Sequence, residues 1–302
     1  MKKIIMMMAS VCILMFAGMT VNASAQSARP VVALGADLSS EQRASVLEQM
    51  GLTEADLSNC TVITISNDQE HQYLDSYISP SVIGTKSLSS VMLTKAEAGN
   101  GVLVSTKNIN YCTTGMYRNA LLTAGLEDTN VLVVGPSPIS GTAALIGAVK
   151  AYEEMSGVSV SDATLDTAMN ELVTTGELEN SGADSEDVEQ LVAYIKAKLA
   201  AGELETDDDL KNAISEGEDK FGVTLTEDEK AKIVEVMHKI KDLGLDPQKL
   251  LDQAQDLYKK FGNELLQNTE DVVKKEVSNS FKNFFTDMSD RVKSFFKGML
   301  SK

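Results

Sequence analysis

Histidine, cysteine and positive charge are all in short supply in this 302-residue chain, which also has no tryptophan. Two histidines, His71 and His238, and three cysteines are present, with no His-Glu-x-x-His and no Cys-x-x-Cys. Zinc sites and dithiol redox centres of familiar spacing are therefore excluded. Lys and Arg number 27 against 44 Asp and Glu, a formal net charge of −17. Phosphate backbones would repel such a chain, which argues against nucleic acid as a partner. The many carboxylates never fall into an EF-hand loop, which needs alternating oxygen ligands and a Gly at its sharp turn. Nothing calls for a metal or a cofactor.

Motifs for nucleophilic catalysis are missing as well. There is no Gly-x-Ser-x-Gly elbow. Ser294 and Lys297 match Ser-x-x-Lys formally, without the accompanying Lys-Thr-Gly. The segment Gly135 to Thr142 follows a strand and enters a helix as a phosphate loop would, but lacks the lysine and has one residue too many between its glycines. No catalytic residue can be named from sequence.

What is present begins with an export leader. Lys2 and Lys3 precede an apolar run from Ile4 to Gly18, and Ala23-Ser24-Ala25 supplies the small residues of a cleavage site. About 15 apolar residues are too few to cross a bilayer comfortably, so residues 1–25 read as a signal peptide rather than an anchor. Cys12 lies inside the apolar run without the small residues a lipoprotein cut needs. No later stretch reaches the length of a membrane span, and no LPxTG tail occurs. The expectation is a secreted, extracellular protein, acting in association with the cell envelope. Cys60 and Cys112 remain after cleavage, and an oxidising compartment invites a disulfide between them. Closing a loop of about fifty residues would contribute roughly 4 kcal/mol on the chain-entropy model. Two separate small buried residues are the alternative.

At 43% hydrophobic residues the chain can build ordinary cores, and its length suggests two modest domains. Residues 26–156 alternate strand and helix signals in the order βαβαββαβα, which predicts an α/β domain with a mixed sheet. Ser39 with Gln42, and Thr226 with Glu229, offer capping boxes. Asn100-Gly101 between two strand signals predicts a β-hairpin near residues 87–109. Beyond Gly157 strand signals vanish. Residues 157–262 read as an all-helical domain and residues 263–302 as an amphipathic C-terminal helix.

Several strings occur together: Leu34-Gly35-Ala36-Asp37-Leu38, Glu70-His71-Gln72-Tyr73-Leu74, Asn108-Ile109-Asn110, Met116-Tyr117 with Asn119-Ala120-Leu121, and Ile139-Ser140-Gly141-Thr142-Ala143-Ala144-Leu145. As a set they resemble the YpuA-like extracellular family of Gram-positive bacteria, a domain-of-unknown-function family, over roughly residues 30–245. The resemblance implies a secreted or envelope-associated protein and carries no activity or site residues.

Two regions stand out as interaction sites. If strands 31–35, 61–66 and 130–135 run parallel, the loops after them share the carboxyl edge of the sheet, where open α/β sheets bind ligands. Asp37, Asn67, Asp68, Ser137, Ser140 and Thr142 would gather there, either around a ligand or simply as helix caps and turn formers. His71, beside Glu70, reads as a surface or helix-facing residue rather than a ligand or base. In the tail, Phe281, Phe284, Phe285, Phe295 and Phe296 fall on one helical stripe. From Leu265 onward there are seven Lys or Arg against five Asp or Glu. That stripe would contact a membrane surface or a partner protein, or pack on its own bundle. The functional expectation is a non-enzymatic envelope binding or scaffold protein whose partner is an unidentified envelope component. The alternative is an envelope hydrolase or transferase using carboxylates at the sheet edge.

Overall fold

The computed structural model describes residues 29–180 and 182–246. The signal peptide expected over residues 1–25, the end of the expected helical domain from residue 247, the C-terminal helix expected over 263–302 and its Phe281, Phe284, Phe285, Phe295 and Phe296 lie outside the described residues. The first half is a five-stranded mixed sheet with helices on both faces, and among the described residues only helices follow it. The strands are β1 (Val31–Gly35), β2 (Thr61–Ile65), β3 (Ser90–Lys95), β4 (Val102–Ile109) and β5 (Thr129–Ile139), in the spatial order β2-β1-β3-β5-β4. β1 pairs parallel with β2, β4 pairs parallel with β5, and β3 runs antiparallel between β1 and β5. Four strands therefore point one way, so the segments after β1, β2, β4 and β5 and the segment before β3 share one edge.

Strand periodicity explains the layering. In β1, Val31 and Ala33 face one core while Val32 and Leu34 face another; in β5, Val131 and Val133 alternate with Leu132 and Val134. The smaller core packs under α1 (Ser40–Gln49), which opens with the Ser39–Gln42 capping box. The opposite face carries α2 (Asn67–Leu74), α4 (Thr114–Thr123) and α5 (Thr142–Ser156); a short α3 (Pro80–Ile83) joins α2 to the approach to β3. α5 can lie close to the sheet because its contact residue is Gly147, where a Cβ would meet Ala33 Cβ and Val91 Cγ1 at 3.1 Å each.

The hairpin expectation fails. β3 and β4 are not neighbours, because β5 lies between them. Val131, Val133 and Val134 of β5 are buried, and a strand apolar on both faces needs hydrogen-bonding neighbours on both sides. The Asn100-Gly101 segment instead forms a wider connection. It is held by Asp128, whose carboxylate accepts from Gly99 N–H at 2.8 Å and Gly101 N–H at 3.1 Å.

The disulfide expectation also fails. Both thiols are free, Cys112 buried and Cys60 half-buried. Cys60 precedes β2 and Cys112 follows β4, the two opposite edge strands of the sheet. Four strand spacings of about 4.8 Å separate them laterally, roughly three times the reach of a disulfide. Burial pushes the Cys112 thiol up to about 12, so it behaves as a small core residue.

The helices that follow are α6 (Asp162–Asn180), α7 (Ser185–Ala200), α8 (Asp207–Phe221) and α9 (Glu227–Asp242). The sequence marks their starts: Thr206 with Asp209 and Thr226 with Glu229 form capping boxes, and Asp207, Asp208 and Asp209 crowd the positive end of α8. α6 belongs to both cores. Leu165, Ala168, Met169, Leu172 and Val173 pack in the core over the sheet, and Leu178 joins the core of α7, α8 and α9. Buried ion pairs fasten this layer: Lys196 Nζ lies 2.7 Å from Glu171 Oε1, and Arg118 of α4 meets Glu189 of α7. Among the described residues no helix is long and apolar enough to cross a membrane.

Candidate functional site

A cavity of about 300 Å³ opens at the shared strand edge. Its wall on one side is Ile139, Ser140, Gly141 and Thr142, where β5 passes into α5. Opposite stand Val82 through Lys86, with Leu88 and Ser89, on the approach to β3. Glu70 of α2 completes it. The lining is mixed, with aliphatic side chains on both sides and hydroxyls and one carboxylate between them.

Glu70 is the unusual member. It is 2% exposed, because it shares the inward face of α2 with Leu74 one turn later. Its Oε1 accepts from Thr142 Oγ1 at 2.7 Å and its Oε2 from Asn67 Nδ2 at 3.2 Å. Burial pushes its carboxyl above the usual range, and the hydrogen bonds from Thr142 and Asn67 and the nearby His71 pull it partly back. Ser140 Oγ lies 3.4 Å from Thr142 Oγ1, so a chain of hydroxyls leads from the cavity wall to the carboxylate.

The cavity walls are fixed from behind. Gly141 caps α5 with φ of 95°, a left-handed conformation that suits glycine. A Cβ there would run into the Tyr117 hydroxyl, which donates to the Gly141 carbonyl at 2.6 Å. On the other side His71 Nε2 lies 3.1 Å from the Gly84 carbonyl, while Nδ1 lies 2.6 Å from Asp75 Oδ1. Only the imidazolium donates at both nitrogens, and the Asp75 hydrogen bond raises the His71 pKa accordingly. His71 thus ties the rim of the cavity to α2.

The six residues expected at this edge divide by role. Ser140 and Thr142 line the cavity. Asn67 supports Glu70 from behind. Asp37 is exposed after β1, and its carboxylate accepts from the Ser87 N–H at 2.8 Å, pinning the approach to β3. Asp68 and Ser137 are exposed and outside the lining, Ser137 because β5 continues through it to Ile139. Glu70 itself escapes sequence reasoning, since an acid beside a histidine resembles solvated surface. Its signal is the spacing: Glu70, Leu74 and Tyr77 fall on one face of the helix pattern. Among the described residues no group of three or more His, Cys, Asp or Glu is placed to hold a metal ion.

Comparison with known proteins adds kinship without an activity. Residues 34–257 match the family described as "Protein of unknown function (DUF1002)". The chain is 38% identical over 266 residues to "Uncharacterized protein YpuA" of Bacillus subtilis (strain 168), covering 86% of this chain and 90% of that protein. No solved structure matches significantly. With most of its length matched on both counts, this chain is a member of the DUF1002, YpuA-like family of unknown function.

Proposed function

We propose that this chain is an exported, envelope-associated binding protein that takes a small molecule in the cavity between α5 and the approach to β3. One observation carries the reading: a formed cavity of about 300 Å³ at the strand edge, with a buried, incompletely compensated carboxylate in its wall. That volume is at the small end of ligand sites, and an apolar lining with a few convergent polar groups is their usual composition. The Lys2, Lys3 and Ala23-Ser24-Ala25 leader supports export. The Phe-rich tail supports attachment to a membrane surface or a partner protein.

An envelope hydrolase or transferase is the second reading, and Asp37 near Glu70 is what favours it, since the Asp37 carboxylate adds to the rise in the Glu70 pKa. Asp37 is outside the cavity lining and already accepts from Ser87, which weighs toward binding rather than paired acid–base work.

The test uses protein secreted by its native host. Its N-terminus should begin at Gln26, and a low-molecular-weight extract of the native envelope should raise its melting temperature. Ser140→Leu, which puts a larger side chain in the cavity wall, should abolish that rise while leaving the unliganded melting temperature nearly unchanged. Intracellular protein still carrying Met1 would overturn export. A thermal response that survives Ser140→Leu would overturn the cavity.

A further inference from the structure

We propose that the cavity selects a small primary amine, whose ammonium group sits on the cavity side of Glu70 and whose short aliphatic body packs against Ile83, Leu88 and Ile139. The inference rests on the binding role proposed above and specifies its ligand. A carboxylate offers about four lone-pair sites, and among the described residues the hydrogen-bond donors to Glu70 are Thr142 Oγ1 and Asn67 Nδ2, both neutral. Glu70 is nevertheless nearly inaccessible to bulk water and lines the cavity wall. A buried carboxylate of this kind is costly until a cation or further strong donors reach it.

The contrast with the other buried glutamates is informative. Glu171 and Glu189 are each met by a buried cation of the chain itself, Lys196 and Arg118. Glu70 is met by hydroxyl and amide donors and lines the cavity, while the nearby His71 spends its two ring nitrogens on Asp75 and the Gly84 carbonyl. The positive end of α5 lies beside it, but the Glu70 carboxylate already complements that end through Thr142. An anion entering the cavity would meet Glu70, with Asp37 nearby, whereas an ammonium group would complete the site. Lys86, the other charged residue of the lining, is exposed at the rim. Ile83, Leu88 and Ile139 give the hydrocarbon part of such a ligand an apolar wall.

Protonation supplies an internal check. Among the described residues, the charged or titratable groups around Glu70 are Asp37 after β1, His71 on α2, Lys86 before β3, Cys112 between β4 and α4, and Tyr117 on α4. Cys112 and Tyr117 stay neutral at ordinary pH because burial raises both. A proton on Glu70 competes with the ammonium group, so affinity should fall about tenfold per pH unit once the pH drops below the Glu70 pKa.

Calorimetric titration of the full secreted chain with n-butylamine, 1,4-diaminobutane, n-butanol and butyrate tests the selection at near-constant ligand size. The amines should bind at least about tenfold more tightly than butanol, a difference of about 1.4 kcal/mol, and butyrate should not bind. Glu70→Gln, which keeps an oxygen for Thr142, should erase the preference for the amines, and Ser140→Leu should block every ligand. Should Glu70→Gln fail to fold, the fall of amine affinity with pH in the unaltered protein carries the same test. Equal or tighter binding of butanol or butyrate overturns amine selection while leaving a cavity that binds ligands. Failure of all four to bind also overturns it, and the response to envelope extract then decides the cavity separately.

Discussion

The helix junction and the sheet edge solve the same electrostatic problem in opposite ways. Between α4, α6 and α7, Glu171 and Glu189 lie fully buried, each against a buried cation, with Thr123 also donating to Glu171. At the sheet edge Glu70 is equally buried but is hydrogen-bonded by neutral donors alone and opens onto a cavity. A closed ion pair fixes the relative positions of helices and leaves nothing for a ligand. An open one costs stability until something arrives, and that difference separates a structural crosslink from a binding group.

The largest effect should come from breaking the closed arrangement. Lys196→Met leaves Glu171 buried without its cation and should cost about 3–5 kcal/mol in urea unfolding. A cost below about 1 kcal/mol would mean that the junction relaxes and admits water, and the comparison would lose one side. Gly141→Ala probes the cavity wall itself. It forces a Cβ into the left-handed cap against Tyr117, and about 2–4 kcal/mol should be lost by the same measurement.

The smallest effect is the most discriminating. Glu70→Gln should change stability by no more than about 1 kcal/mol at neutral pH, in the stabilising direction, because it removes a desolvated charge. Its sign is fixed by linkage. The folded-state pKa of Glu70 is raised above 4.5, so the native state favours the protonated form. The stability this confers is fully present below the unfolded value and is lost as pH rises through the folded one. The advantage of Glu70→Gln over the parent should therefore grow from about pH 4.5 upward and then level off. A constant difference across pH would show that Glu70 carries no burial penalty.

Much of the fold was legible because its signals are local. The Ser39-x-x-Gln42 and Thr226-x-x-Glu229 capping boxes open helices as their spacing predicts, and the β-branched run Thr61–Ile65 forms a strand. The Asn100-Gly101 turn misled because a hairpin depends on what else competes for the two strands. β5, twenty residues further on, took the place between them through burial on both faces. The candidate site was legible to the same extent. Ser140 and Thr142 follow from the strand-to-helix passage, whereas Glu70 becomes visible only when the inward face of α2 is known. Pairing of Cys60 with Cys112 required lateral order, which no spacing along the chain encodes.

The placement of α6 has a consequence for how the protein comes apart. Its first three turns wall the sheet's core and its last turn walls the core of the following helices, so one rigid rod is common property. Neither half can melt without stripping apolar cover from the other. Heat should therefore take both down in a single cooperative step, and a chain cut ahead of Asp162 would present an oily flank where α6 had been.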